Sequence, residues 1–76
     1  MVHAFVFVDA APGTAPKLPT LLAGVDAVTE AHVVAGDHDV VVEIEAGSVY
    51  DVLSTVTEAV RPLDGVERTR TYVSLE

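Results

Sequence analysis

Several residue types are absent or scarce in this sequence. Its 76 residues include no cysteine and no asparagine, and Lys17 is the only lysine. Without cysteine, disulfide bonds, thiolate metal sites and thiol catalysis are all excluded. A domain this small buries only about 60% of the surface that its unfolded chain exposes. Small domains usually need disulfides, a metal or oligomerisation for stability, so the sequence predicts an oligomer.

Positive charge is scarce as well. Four basic residues stand against 12 acidic ones, and the formal net charge is −8. Such a chain repels nucleic-acid phosphates, so direct nucleic-acid binding is not expected. It also repels itself, and at about 1 M salt this repulsion is screened beyond roughly 3 Å. The composition therefore favours a halophilic protein in a salt-accumulating cytoplasm over an ordinary acidic protein.

Long apolar runs are also lacking. No segment approaches the ~20 apolar residues that a membrane-spanning helix requires. The first residues, Met1–Phe5, lack the basic stretch that opens a signal peptide. The expectation is a cytoplasmic protein that does not contact a membrane.

Valine-rich segments bounded by turn residues predict four strands. These cover Val2–Asp9, Ala27–Ala35, Val40–Glu45 and Val66–Leu75. A first helix is predicted between the first two strands, and it must be short because Pro16 and Pro19 fit only near its start. Its apolar residues have the spacing of one helix face and are Leu18, Leu21, Leu22 and Val25.

A second helix is predicted to begin at Ser48. A serine with an acidic residue three positions later, here Asp51, resembles a capping box. The helix should end before Pro62, because the residue that precedes a proline avoids helical angles. Its predicted buried stripe consists of Val49, Leu53, Val56 and Val60.

The order β-α-β-β-α-β predicts one α+β domain over residues 1–76 with the ferredoxin-like split fold. Two helices cover only one face of a four-stranded antiparallel sheet, and the other face should be polar if it meets water. The first strand does not follow this rule, since Phe5 and Phe7 alternate with Ala4, Val6 and Val8. A second subunit on the open face is the simplest explanation, and it predicts a dimeric α+β barrel-type assembly.

Three motifs, in order along the chain, resemble one known family. They are Ala4-Phe5-Val6 with Pro12-Gly13, then Val34-Ala35-Gly36-Asp37-His38-Asp39, and finally Gly65-Val66-Glu67-Arg68-Thr69-Arg70-Thr71. Over essentially its whole length the chain resembles the effector-binding domain of the Lrp/AsnC (feast/famine) regulators. It departs from the family where His38 replaces a frequent tyrosine and Asp64 replaces a usual proline.

The resemblance implies an amino-acid pocket between subunits, formed in part by the loop Gly36, Asp37, His38 and Asp39. A ligand ammonium suits Asp39 best, with Asp37 as a partial substitute, through charge-assisted hydrogen bonds. The hydroxyls of Thr69 and Thr71 suit the ligand carboxylate. The simpler interpretations are a tight hairpin turn for the loop and strand propensity for the threonines. Adjacent loop residues rarely converge on a metal, so no metal or cofactor is expected.

The functional expectation is an oligomer of dimers that senses an amino acid or a related small metabolite and modulates a partner protein. That partner could be a full-length regulator of the same family, since the sequence contains no helix-turn-helix of its own. Enzyme motifs such as a phosphate loop, a Ser-His-Asp triad or a metal dyad are absent, so an enzyme is not expected. The alternative is a dimeric α+β-barrel oxygenase or isomerase-like enzyme that uses His3 or His32 as a lone general base.

Overall fold

The computed structural model describes residues 1–76 and confirms the ferredoxin-like α+β fold. It contains four strands: β1 (Val2–Ala10), β2 (Val28–Val33), β3 (Val40–Ala46) and β4 (Val66–Val73). They form one antiparallel sheet in the order β2-β3-β1-β4, so that β1 and β3 lie at the centre. The predictions for the second and fourth strands, Ala27–Ala35 and Val66–Leu75, extend beyond the observed strands, because their end residues form no ladder pairs. The helices are α1 (Leu18–Leu22) and α2 (Val49–Thr55).

The core lies between the sheet and the helices. All 12 buried residues are hydrophobic, and no polar or charged residue is buried. Branched valine side chains dominate this core, as expected on a pleated surface. The core residues are Ala4, Val6, Val8, Leu18, Leu22, Val40, Val42, Ile44, Ala46, Val52, Val56 and Val60.

The first helix is only five residues long and follows a 3-10 turn over Ala15–Lys17. Leu18 and Leu22 are fully buried, but the expected burial of Leu21 is wrong, since this residue is 42% exposed. Leu18 and Leu22, four residues apart, lie on one face of this short helix, and the sheet contacts that face. Neither helix of the fold is long and apolar enough to cross a membrane.

The second helix is capped as predicted, because the hydroxyl oxygen of Ser48 accepts a hydrogen bond from the backbone N–H of Asp51 at 3.1 Å. A π-helical turn over Val56–Val60 continues the helix. The predicted stripe is wrong in its first half: Val49 and Leu53 are 47% and 49% exposed. Two apolar stripes overlap in this sequence, and the sheet contacts the one that runs through Val52, Val56 and Val60.

Two turns pack against each other at one end of the sheet. The backbone N–H of Ala11 donates to the carbonyl of Gly65 at 2.8 Å. Gly13 and Gly65 have positive φ angles of 80° and 102°. A Cβ at Gly65 would lie 2.8 Å from the hydroxyl oxygen of Thr14. Backbone angle and close approach therefore both require glycine at position 65.

Candidate functional site

Hydrogen bonds of Asp39 connect the β2–β3 loop to the end of β1. Its backbone N–H donates to the carbonyl of Val8 at 2.9 Å, and its own carbonyl accepts from the N–H of Val34 at 2.9 Å. Its carboxylate oxygen Oδ2 accepts a hydrogen bond from the N–H of Ala10 at 2.8 Å. One oxygen of the Asp39 carboxylate is therefore already occupied within the chain.

Gly36 and Asp37 form the exposed tip of the same loop. The φ angle of Gly36 is not positive, and a Cβ placed there would meet nothing within 4 Å. The fold of the single chain therefore does not require glycine at this position. The carboxylate of Asp37 takes part in none of the hydrogen bonds or ion pairs of the structure. Its charge is free to meet a ligand or another subunit.

The side chain of His38 points away from the loop tip and lies over the open face of the sheet. Its Nδ1 donates to the Oδ1 of Asp9 at 2.8 Å, and its ring lies 5.3 Å from that of Phe7, centroid to centroid. Arg68 approaches the other Asp9 oxygen, with its Nε 3.4 Å from Oδ2. The hydrogen bond and charge of His38, followed by the charges of Arg68 and Arg70, lower the pKa of Asp9 below its ordinary value of 3.8. Asp9 is thus an anionic link between the loop and β4.

The two threonines of β4 lie on the other side of the sheet. Thr69 pairs with Val8 of β1, and Thr71 pairs with Val6. Residues directly opposite each other in an antiparallel pair point to the same face. Since both valines are buried in the core, the half-buried threonines point toward the helix layer. Within one chain, the structure does not bring Thr69 and Thr71 together with the loop.

Aromatic side chains occupy the centre of the open face. Phe7 meets Tyr72 edge to face, with ring centroids 5.5 Å apart, and Tyr72 is 54% exposed. Phe5 pairs with Tyr72 across the β1–β4 ladder and stacks on His3 at 4.9 Å. Tyr72 is a residue of this face that the sequence motifs did not indicate as functional, although its position two residues after Arg70 places it on the same face as that arginine. The single chain encloses no pocket for a small molecule.

The comparison with protein families identifies the chain. The model of the Lrp/AsnC ligand binding domain matches residues 3–76. This chain belongs to the Lrp/AsnC ligand-binding domain family. The resemblance stated from the three sequence motifs is therefore confirmed, and the chain is a regulatory sensor domain of a family that is typically non-enzymatic.

Solved structures share the fold of this Lrp/AsnC domain over nearly its full length. The hypothetical protein PHS023 from Pyrococcus horikoshii is 31% identical, with a TM-score of 0.87 over 100% of this chain and 92% of that one. TTHA0845 from Thermus thermophilus is 29% identical, with a TM-score of 0.93 over 100% and 95% of the two chains. No curated protein matches the chain.

A longer protein contains the same fold in about half of its length. The transcriptional regulator NMB0573 from Neisseria meningitidis, solved as a complex with L-Met, has a TM-score of 0.87 and 14% identity. The alignment covers 99% of this Lrp/AsnC domain and 50% of that regulator. At this identity the match shows a common fold.

Proposed function

We propose that this domain is a cytoplasmic, homo-oligomeric sensor of a free amino acid or a closely related metabolite. Its membership of the Lrp/AsnC ligand-binding family is the observation that carries the proposal. The Neisseria regulator supports it, because that protein has the same fold and was solved as a complex with L-Met. The output of the sensor is a change in transcription through a partner, for which a full-length regulator of the same family is the natural choice.

The proposed dimer uses the open face of the sheet. Phe5, Phe7 and Tyr72 leave apolar surface there that the helices do not cover. Burial of such aromatic side chains contributes strongly to association. The charged residues around them would form the polar rim that interfaces usually have. A second copy of this chain therefore fits the surface.

A second, separate apolar patch supports assembly beyond the dimer. On α2, Val49, Tyr50 and Leu53 are 47%, 76% and 49% exposed. This patch lies on the helix layer, on the opposite side of the molecule from the open sheet face. Two distinct contact surfaces on one chain allow dimers to associate into a larger closed oligomer.

The proposed ligand site lies between subunits. A single chain has no pocket, and it keeps the β2–β3 loop apart from Thr69 and Thr71. Since the threonines point to the helix side of the sheet, the proposed site combines the loop of one subunit with Thr69 and Thr71 of another. Asp37 is the carboxylate best placed for the ligand ammonium, because Asp39 already accepts from Ala10. Backbone amides of the loop tip and the threonine hydroxyls would donate hydrogen bonds to the ligand carboxylate.

Gly36 gives this site a specific test. Since the fold leaves open space around it, Gly36→Ala should preserve the stability of the domain. If the ligand backbone approaches the loop there, the added methyl group should weaken binding. A loss of affinity without a loss of stability would mark Gly36 as a binding residue.

The alternative function, a dimeric α+β-barrel enzyme, has one observation in its favour. His3 lies 3.2 Å from Glu43, and His32 lies 2.9 Å from Glu30, each measured from Nε2 to Oε1. A carboxylate that orients an imidazole is typical of general bases. Turnover of a metabolite that is abolished by His3→Ala or His32→Ala would replace the sensor proposal with this alternative.

The decisive experiment is a thermal-shift screen of the 20 standard amino acids in high salt, followed by isothermal titration of those that stabilise the protein. Asp37→Asn should weaken binding by about 1.5–3 kcal/mol, or roughly ten- to a hundred-fold, because it removes a charge-assisted hydrogen bond. Asp39→Asn tests the second carboxylate while keeping an oxygen for the N–H of Ala10.

Asp64→Asn is the matched control, because Asp64 is an exposed aspartate in a different turn. It changes the net charge equally and should leave binding unaltered. If no amino acid binds at millimolar concentration, the sensor proposal fails. If one binds and all the loop variants bind it equally well, the pocket lies elsewhere.

A further inference from the structure

One cluster of ionisable side chains lies outside the proposed amino-acid site. It occupies the open face of the sheet beside its β2 edge and consists of Glu30, His32 and Glu43, with His3 next to it. We propose that Glu30, His32 and Glu43 bind a divalent transition-metal ion, for which Zn²⁺ is the reference case. The proposal is independent of amino-acid binding.

The strand register explains why these three side chains meet. Glu30 and His32 are two residues apart on β2 and therefore point to the same face. Glu43 is the β3 residue opposite Glu30. His32 Nε2 lies 2.9 Å from Glu30 Oε1, and one candidate ligand atom from each of the three residues lies within 4.8 Å of the others. Two neighbouring strands thus hold three ligands together.

The spacing is close to what a metal ion requires. Zinc binds imidazole nitrogen and carboxylate oxygen at about 2.0–2.2 Å, so ligand atoms around a tetrahedral ion lie roughly 3.4 Å apart. In the single chain the side chains of Glu30 and His32 are 57% and 58% exposed. They belong to the charged rim of the proposed dimer interface and not to its aromatic centre, so their rotamers can adjust without disturbing the core. An imidazole beside carboxylates suits zinc and similar transition metals, whereas calcium and magnesium prefer oxygen alone.

The charges around the cluster favour a cation. Glu30 and Glu43 are opposite each other in the ladder, and like charges in this position destabilise a sheet. No lysine or arginine lies within ion-pair distance of either glutamate; Glu30 contacts His32, and Glu43 contacts His3. A divalent ion between the two carboxylates would remove this repulsion. The overall charge of −8 acts in the same direction.

His3 has the position of a supporting residue. Its Nε2 lies 3.2 Å from Glu43 Oε1, and its ring stacks on Phe5 with centroids 4.9 Å apart. Hydrogen bonds of this kind orient metal ligands, and their loss typically lowers metal affinity by about 10- to 100-fold. His3 is therefore a positioning residue rather than one of the three proposed ligands.

Isothermal titration of chelator-treated, tag-free protein with Zn²⁺ tests the proposal. We expect saturation at one ion per chain, without competition from millimolar Mg²⁺. His32→Ala and Glu43→Gln should each lower the affinity by about a hundred-fold or more, and His3→Ala by about ten-fold. Glu67→Gln removes the same charge from β4, at the far edge of the sheet, and should bind Zn²⁺ like the wild type.

Imidazole NMR spectra provide a second measurement, since the chain has three histidines. Zn²⁺ should shift the ring signals of His32 and His3 at one equivalent and leave those of His38 unchanged. Circular dichroism of each variant establishes that it is folded. The proposal is overturned if the wild type does not bind Zn²⁺, if His32→Ala binds it equally well, or if only His38 responds.

Discussion

The two faces of the sheet are built from alternating residues of the same strands, yet they differ in burial and in the polar groups that they carry. On the covered face, Ala4, Val6 and Val8 of β1 are completely buried under the helices. On the open face, Phe5 and Phe7 of the same strand are only partly buried and lie among histidine, glutamate, arginine and tyrosine side chains.

The covered face mainly stabilises the folded chain, whereas the open face presents groups that another molecule can contact. The buried core of the covered face contains no polar residue, so its packing stabilises the chain; the hydroxyls of that face are at the half-buried Thr69 and Thr71 of β4. The open face combines aromatic surface with ion pairs such as His38–Asp9 and His3–Glu43. Such a mixture suits an interface or a binding site better than a core. Substitutions on the two faces should therefore change different measured properties.

Phe7→Asp should have the largest effect, and that effect should be on association. An aspartate at this position removes the aromatic ring from the proposed dimer interface and places a carboxylate there, opposite Arg70 in the ladder. The lost burial and the desolvation together cost several kcal/mol. Since about 1.4 kcal/mol is ten-fold in affinity, the dimer should weaken by roughly a thousand-fold or more. Light scattering in high salt measures this, with Thr20→Asp on exposed α1 surface as the control. A well-folded wild-type monomer at micromolar concentration would contradict the proposed dimer.

Val42→Ala and Val41→Ala compare the two faces directly, because the same change is made at neighbouring residues of β3. Val42 is fully buried, and its truncation should lower the free energy of unfolding by about 2–3 kcal/mol. Val41 lies on the open face, and its truncation should cost less than about 1 kcal/mol. Denaturant unfolding at a concentration where the assembly is dissociated measures both. Equal losses would mean that the open face contributes to the fold as much as the core.

Salt should affect association more than folding. All the charges lie outside the buried core, and joining subunits multiplies a net charge of −8 per chain. Potassium chloride screens this repulsion, so both oligomer mass and melting temperature should rise from dilute to multimolar salt. Light scattering and thermal unfolding over the same salt series would show whether oligomer mass or melting temperature changes at the lower salt concentration. A flat response in both would remove the halophilic interpretation.

Acid should produce the smallest effect, through Asp9. Because the pKa of Asp9 is lowered in the folded chain, its contribution to stability is fully present above pH 3.8 and is lost as the pH falls through the lowered pKa. His38→Ala removes the largest cause of the shift and should raise the titration midpoint of Asp9 toward 3.8. Carboxyl NMR measures the midpoint. An unchanged midpoint would show that Arg68 and Arg70 alone hold Asp9 ionised.

Some positions were predictable because local backbone chemistry decides them. Ser48 followed by Asp51 predicted the start of α2, and the observed cap forms between these two residues. Pro16 and Pro19 predicted a short first helix, since proline cannot occupy later positions. Strict alternation in β1 predicted which of its residues share a face, but both faces are apolar, so it left open which face the helices cover.

Other positions depended on partners distant in sequence. Val49 and Leu53 have helical spacing as good as that of Val52 and Val56, and only contact with the sheet shows which pair is buried. Asp39 is suited to bind an ammonium group, but its carboxylate accepts from Ala10, 29 residues away. Glu30, His32 and Glu43 meet because β2 pairs with β3, a relation that their spacing along the chain does not reveal.

Sequence alone was enough to indicate the fold class, the order of the elements, the family and which residues of the central strand share a face. These properties depend on periodicity, turn chemistry and motif order, all of which are local along the chain. Packing decided which of the two faces of that strand the helices cover. The packed chain was needed to show which helix residues are buried, that Thr69 and Thr71 are separated from the β2–β3 loop, and that three candidate ligands for a metal ion converge on the open face. These outcomes depend on strand pairing and helix packing. Both bring together residues that are distant along the chain, and their spacing in the sequence does not reveal that they are in contact.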